Sequence, residues 1–312
     1  MRTLLGFCSL LFVLACQSPS AEPDTAKAVK VLNTTAPTDK LSDYWYQGKA
    51  EITSYSLLQN RYKDVHPGSA VLVFVTEDFL TDKQVKNDNY TNPNSIPILK
   101  MNRVEAFPTG LYDYHIMTST FTPAEPAVNP NTLKVTNSTT EWCGQVFTQL
   151  NYNKGYYKSQ SFSYFENEGD QSTKVKAALL EDEILNRIRM NPQALPTGKV
   201  DMLPSTTYIR LTHKPFEKVT ATNTMAAYEG DEFEGEELMV YTIEYPSFDR
   251  VLEIVFEREA PYEIAGWKDT YPSMFDRQPR SSIAKRKKSL MNAYWSKNSL
   301  SDMALRAELG LD

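Results

Sequence analysis

Glu166, Glu168 and Asp170, alternating in Phe165-Glu-Asn-Glu-Gly-Asp, are spaced so that acid/base chemistry is conceivable. Two carboxylates flanking a cleft hydrolyse a glycoside when their separation and pKa values are tuned. Alternate acids also suit calcium, but this string lacks the Asp and Asn ligands and the distal Glu of a calcium loop. A turn leading into a helix that starts near Thr173 explains them more simply, because negative charge stabilises a helix N-terminus. Cys143, in Glu141-Trp142-Cys143-Gly144, needs a nearby base or a helix N-terminus to become a reactive thiolate. No histidine lies close in sequence, and the stretch reads as strand, so a buried cysteine acting as a small hydrophobe is the plainer reading.

His66, His115 and His213 lie far apart, without a carboxylate at metal-ligand spacing. There is no His-Glu-x-x-His and no paired-cysteine motif, so neither a metal nor another cofactor is expected. His213 follows Arg210 in a strand-like segment and reads as a polar inward residue of a sheet. The phosphate-binding loop, the dinucleotide fingerprint and the nucleophile elbow are all missing. The acidic run over 229–237, with two glycines before an alternating strand, reads as a solvated hairpin loop. The basic run Lys285-Arg286-Lys287-Lys288 suits a helix face turned to solvent or to anionic headgroups. Export from the cytoplasm, which the N-terminus implies, and a net charge of −7 once the signal is lost speak against a nucleic-acid partner.

The N-terminus opens with Met1-Arg2, an apolar run over 4–15, and Cys16. That is the charged and apolar organisation of a secretory signal, too short to remain as a membrane span. Val13-Leu14-Ala15-Cys16 resembles a lipobox, in which the cysteine is acylated and becomes the new N-terminus. Cleavage there would remove 15 residues, including Arg2 and Cys8, leaving 297 residues with a charge of −7. Cys143 would then be the one free thiol, and a chain of this size can rest on its own core without disulfides. Residues 16–40 are rich in Pro, Ser, Thr and charge, as in a flexible tether. Gln17, where Asp would favour the inner membrane, implies the outer membrane.

Those residues need a scaffold, and from Tyr44 onward the signal is β. The unbroken run Ala70-Val-Leu-Val-Phe-Val-Thr76 predicts a strand covered on both faces. Alternating strands are expected over 111–121, 145–150, 156–165, 207–211, 238–245 and 251–256, separated by turn chemistry such as Pro67-Gly68 and Asn129-Pro130-Asn131. Ala177, Leu180, Ile184, Leu185 and Ile188 share one side of a helix over 174–190, which Asn191-Pro192 stops. Ile283, Leu290, Met291, Tyr294 and Trp295 suggest a second helix. The expectation is a mainly β protein: an antiparallel sandwich or curved half-barrel sheet over 41–272 with one long internal helix, and a C-terminal helical segment over 273–312 packed on it.

The strings Tyr44-Trp45-Tyr46-Gln47-Gly48-Lys49-Ala50-Glu51-Ile52, Gln59-Asn60-Arg61-Tyr62, Glu141-Trp-Cys-Gly144, Pro261-Tyr262-Glu263-Ile264, Gly266-Trp267 and Tyr294-Trp295 resemble a group of bacterial envelope lipoproteins that often carry the label "septum formation inhibitor Maf". The resemblance implies an envelope location and is uninformative about activity. True Maf proteins are shorter cytoplasmic α/β nucleotide pyrophosphatases with a Ser-x-Ser-Pro-Arg-Arg signature. The nearest strings here, Ser18-Pro19-Ser20 and Gln278-Pro279-Arg280, follow no opening strand and lack the paired arginines. A septum-related role rests on the label alone. The sequence therefore points to a non-catalytic, lipid-anchored envelope protein that binds an apolar ligand such as a lipid, or a protein partner. The rival reading is an envelope hydrolase with a carboxylate pair.

Overall fold

The computed structural model describes residues 41–311. The signal sequence, Cys16 and the tether therefore lie outside the described residues. The chain first builds β1 (Ala50–Arg61), β2 (Asp64–Leu80), β3 (Ser95–Thr109), β4 (Tyr112–Pro123), β5 (Lys134–Glu141), β6 (Gly144–Asn153), β7 (Tyr156–Ser163) and β8 (Gln171–Lys176). Then follow the two-residue β9 (Leu179–Leu180), α1 (Ile184–Met190), β10 (Gly198–Leu203) and α2 (Thr206–Thr212). The return leg comprises β11 (Val219–Ala227), β12 (Leu238–Tyr245), β13 (Arg250–Glu257), β14 (Ile264–Pro272) and β15 (Pro279–Asn292), with α3 (Ala304–Glu308) at the end.

All 15 strands form one sheet, in the order β8-β7-β6-β5-β4-β3-β2-β1-β15-β14-β13-β12-β11-β10-β9. Neighbours are antiparallel except for β9 and β10. The first and last strands pair in the middle, and two meanders run out to the two edges. Those edges, β8 and β9, are separated in sequence only by Ala177 and Ala178. Three Cα–Cα steps reach at most ~11 Å, little more than two strand spacings of ~4.8 Å. The sheet must therefore curl until its edges almost meet. At this seam Leu180 and Leu203 pack against Val135, Leu150 and Tyr157.

Eight strands already give a barrel wide enough for side chains to fill, and width grows with strand number. Here α1 and α2 fill the interior. Ile184, Leu185 and Ile188 of α1 and Leu211 of α2 join Tyr55, Leu57, Leu72, Phe74, Met101, Tyr241, Ile254 and Trp267 from the sheet. Asn186, fully buried, donates to the Leu99 carbonyl and to Thr122 Oγ1. Ser205 caps α2 by accepting from Tyr208 N–H.

The mainly β, curled, antiparallel architecture is as expected. The run at Ala70 is covered on both faces. Ala70, Leu72 and Phe74 face the interior, whereas Val71, Val73 and Val75 meet Leu309 and Leu311 of the C-terminal segment on the outside. Several elements differ from the sequence expectation. The helix over 174–190 shrinks to α1, preceded by a 3-10 turn at Glu181–Glu183. Residues 171–176 are drawn into β8 by pairing with β7, and Glu183 Oε1 accepts from Leu180 N–H where the helical turns begin. Tertiary pairing overrides helical spacing here. The helix over 283–295 is instead β15, hydrogen-bonded on both sides by β1 and β14. Within the C-terminal segment, only residues 294–296 and 300–308 are helical. The strand over 207–211 is α2, whose Thr207 and Leu211 share one helical face.

Charge is buried along with the helices. Arg189 of α1 donates to both carboxylate oxygens of Glu51 on β1, each side chain being 1% exposed, and its Nε donates to the Pro261 carbonyl. Arg250 of β13 is gripped by two carboxylates, Glu181 and Asp269, at 2.7–2.9 Å, and lies 4.0 Å above the Tyr208 ring. Removing one member of such a pair strands a buried charge, whereas replacing both with apolar groups often does not. Arg189→Met is expected to lower unfolding free energy by about 3–5 kcal/mol in urea titrations. The double variant Glu51→Leu/Arg189→Met should recover most of that loss. A double variant as unstable as the single one would show that the cost lies in losing the pair itself and not in a stranded carboxylate.

Candidate functional site

Near the seam, β6, β7 and β8 face the C-terminal end of α2 and the segment after it across a cleft of about 360 Å³. One wall presents hydroxyls and small apolar groups, Thr148, Ser159, Ser161, Thr173, Val146 and Val175. The other presents Ile209, Arg210, His213, Lys214 and Phe216. Both walls follow from local rules. The β-strand period turns alternate residues inward, so Ser159 and Ser161 face the cleft together. α2 ends at His213, which adopts the left-handed conformation at φ +52° and thereby leaves the helix axis.

His213 Nδ1 lies 2.5 Å from Glu168 Oε1, and Ser163 Oγ donates to Glu168 Oε2 at 2.5 Å. Partial burial works against the Glu168 carboxylate, but the hydrogen bonds from Ser163 and His213, with the His213 and Arg210 charges, outweigh it. They hold the carboxyl below its usual range. The other imidazole nitrogen, Nε2, sits 3.5 Å from Arg210 Nη1. The ring of Phe165 packs edge-on against His213 and under the Arg210 guanidinium, 4.8 Å away.

Arg210 is the unusual member. Its side chain belongs to a residue only 6% exposed, and no carboxylate lies within ion-pairing distance among the described residues; its Nε lacks a hydrogen-bond partner, as do those of Arg61, Arg103 and Arg187. Burial pushes the guanidinium below arginine's usual range, and the Glu168 charge offsets that only in part. Arg189 and Arg250, in contrast, are each held by at least one carboxylate. A buried cation that lines a cleft without a counter-ion is chemically prepared to receive one.

Two of the residues singled out in the sequence, Glu168 and His213, thus meet, although 45 positions separate them. Glu166 and Asp170 do not join them. Both are exposed on the turn from β7 to β8, which leads into a strand and not a helix. His213 is not an inward sheet residue but a helix cap with its side chain 37% exposed. Cys143 is exposed, not buried, because it occupies the tight turn between β5 and β6. Hydrogen bonding and charge from Glu141 push its thiol up, the reverse of activation. The acidic run over 229–237 is the expected hairpin loop, between β11 and β12. The basic run lies on a strand, where Lys285 pairs with Glu232 and Arg286 with Glu257 and Glu263. Among the described residues, no group of three or more His, Cys, Asp or Glu side chains could hold a metal ion.

This arrangement is better suited to holding a ligand than to transforming one. Both imidazole nitrogens of His213 already face protein groups, and the serine lies on the far oxygen of Glu168, not beside Nε2. The order nucleophile–base–orienter is therefore not met. Glu168 is also the one member of its acidic trio that lines the cleft. Sequence reasoning missed Arg210 as a functional group because a strand assignment hid its place at the end of a buried helix. It also missed the buried acidic triplet Glu181-Asp182-Glu183, each less than 9% exposed. Two of its members hold arginines, and Asp182 Oδ2 accepts from Thr206 N–H at the start of α2. No protein-family model, curated protein or solved structure matches the chain.

Burial pushes the Asp182 carboxyl up to about 7, against the pull of the Thr206 hydrogen bond. A carboxyl raised in the folded state holds its proton there and releases it on unfolding. Stability is therefore fully present below the unfolded value and falls as pH rises through the folded one. Asp182→Asn keeps an acceptor for Thr206 N–H and removes the charge. Between about pH 5 and pH 8 the wild type should lose on the order of 2–4 kcal/mol more unfolding free energy than this variant. Parallel pH profiles in urea titrations would show that Asp182 does not carry the effect.

Proposed function

We propose that the protein is a non-catalytic, lipid-anchored envelope protein that captures a small anionic ligand, through a carboxylate or phosphate group, in the cleft around Arg210. The observation that carries this reading is the buried guanidinium without a counter-ion on the wall of that cleft. Lys214 adds a second positive group on the same wall. The serine and threonine hydroxyls opposite supply neutral donors for the rest of such a ligand. Anchoring would come from acylation of Cys16, with Gln17 directing the protein to the outer membrane. An apolar cargo is less well supported, because α1 and α2 occupy the interior where acyl chains would lie, and cavities there of about 20 Å³ admit a single water.

A residue kept for binding is expendable for stability, and Arg210 should show this. Arg210→Met breaks no ion pair, so it should unfold at the same denaturant concentration as the wild type or a higher one. Inorganic phosphate is the probe. At about tenfold excess over its dissociation constant it should raise the wild-type melting temperature by about 3–5 °C relative to chloride at equal ionic strength. The gain should vanish in Arg210→Met. An equal gain in both proteins, or none in the wild type, would sink the reading.

A further inference from the structure

A second concavity, of about 380 Å³, carries a different chemistry. Tyr46, Tyr90 and Trp295 line it, and they are 53%, 68% and 53% exposed. Each comes from a different part of the chain: the 3-10 turn at Asp43–Tyr46, the connection between β2 and β3, and the 3-10 turn at Tyr294–Ser296 after β15. Scattered exposed aromatics need no explanation, but three from distant segments around one concavity do. Between the rings stand Glu77, Asp78, Lys49 and Lys86.

The segments that carry Tyr46 and Tyr90 are tied to the sheet. Next to Tyr46, Trp45 is buried, and its carbonyl accepts from Thr76 Oγ1 at 2.7 Å. The connection carrying Tyr90 is tied to the sheet by backbone bonds from Thr81 N–H to the Asn94 carbonyl and from Asn87 N–H to the Asp78 carbonyl. Trp295 meets the Tyr294 ring edge-on at 5.6 Å. A preformed site of this volume is in the range of small-ligand pockets.

We propose that this concavity is a saccharide site, taking a neutral hexopyranose chain. Sugar rings present C–H faces, which lie against exposed aromatic faces, and a rim of hydroxyls, which need both acceptors and donors. Glu77 and Asp78 supply acceptors, and Lys49 and Lys86 supply donors. Four charged groups disfavour an acyl chain, because closing an apolar ligand over them would desolvate them. The two carboxylates disfavour a polyanion. The site does not depend on the reading of Arg210.

The test uses the mature full chain and three soluble neutral probes, cellohexaose, maltohexaose and N-acetylchitohexaose, followed by tryptophan emission and calorimetry. At least one should bind saturably up to millimolar concentration, with a blue shift of Trp295 emission. Trp295→Ala and Tyr90→Ala, both surface changes, should each weaken binding about tenfold or more, while Arg210→Met leaves it unchanged. Overturning results are silence from all three probes, or affinity that survives both aromatic truncations. A Trp295 emission shift on removal of residues 16–40, without a sugar response, would assign the cleft to the chain's own N-terminal segment and also overturn the proposal.

Discussion

The link between β8 and β9 governs this structure. Two residues must carry the chain from one edge of a 15-stranded sheet to the other, so the sheet curls until its edges nearly touch. A lumen that wide cannot be filled by strand side chains alone. The filling comes from the chain just after that link, where two seven-residue helices, α1 after β9 and α2 after β10, turn inward between edge strands. Helices so short have little stability of their own. They persist because the sheet wraps them, and the sheet stays curled because they fill it.

Burying short helices also buries their ends, with several unsatisfied backbone groups at each. The interior is correspondingly polar. Ser205 and Asp182 accept from the first turn of α2, and Arg61 donates to the Leu211 carbonyl at its last turn. Arg189 and Arg250 tie α1 and the turn before it to strands β1, β13 and β14. An apolar plug could have equal stability. Directional bonds fix rotation and depth as well, and a helix of two turns presents too small an apolar stripe to fix them by packing alone.

How far the sequence revealed this depends on which residues had local partners. The strand covered on both faces was legible because Ala70 to Val75 are apolar without a break. The fold class was legible from alternation elsewhere. The length of the first helix was not. Ala177 and Leu180 fit helical spacing, but Ala177 packs at the seam and Leu180 belongs to an edge strand. Thr207 and Leu211, four apart, satisfy a strand and a helix alike, and only burial inside a barrel decides between them. At the candidate site the same limit applies. Glu168 and His213 stood out individually, but nothing local announced that a turn and a helix cap 45 positions apart would meet in a hydrogen bond.

The same buried polar architecture gives Arg210 its significance. In this interior the chain meets the demand of other buried arginines with carboxylates, or in the case of Arg61 with a helix-end carbonyl and the Tyr114 hydroxyl. Arg210 has neither: its one side-chain hydrogen-bond contact is the His213 ring nitrogen at 3.5 Å, so it is the buried arginine held most weakly. Glu168 is close enough to be felt electrostatically, yet it is directed to His213 and Ser163. Were Glu168 turned to Arg210, the cleft would close on an internal ion pair. Holding Glu168 away leaves a cation without a counter-ion beside a row of hydroxyls, an arrangement that makes sense where something else completes it.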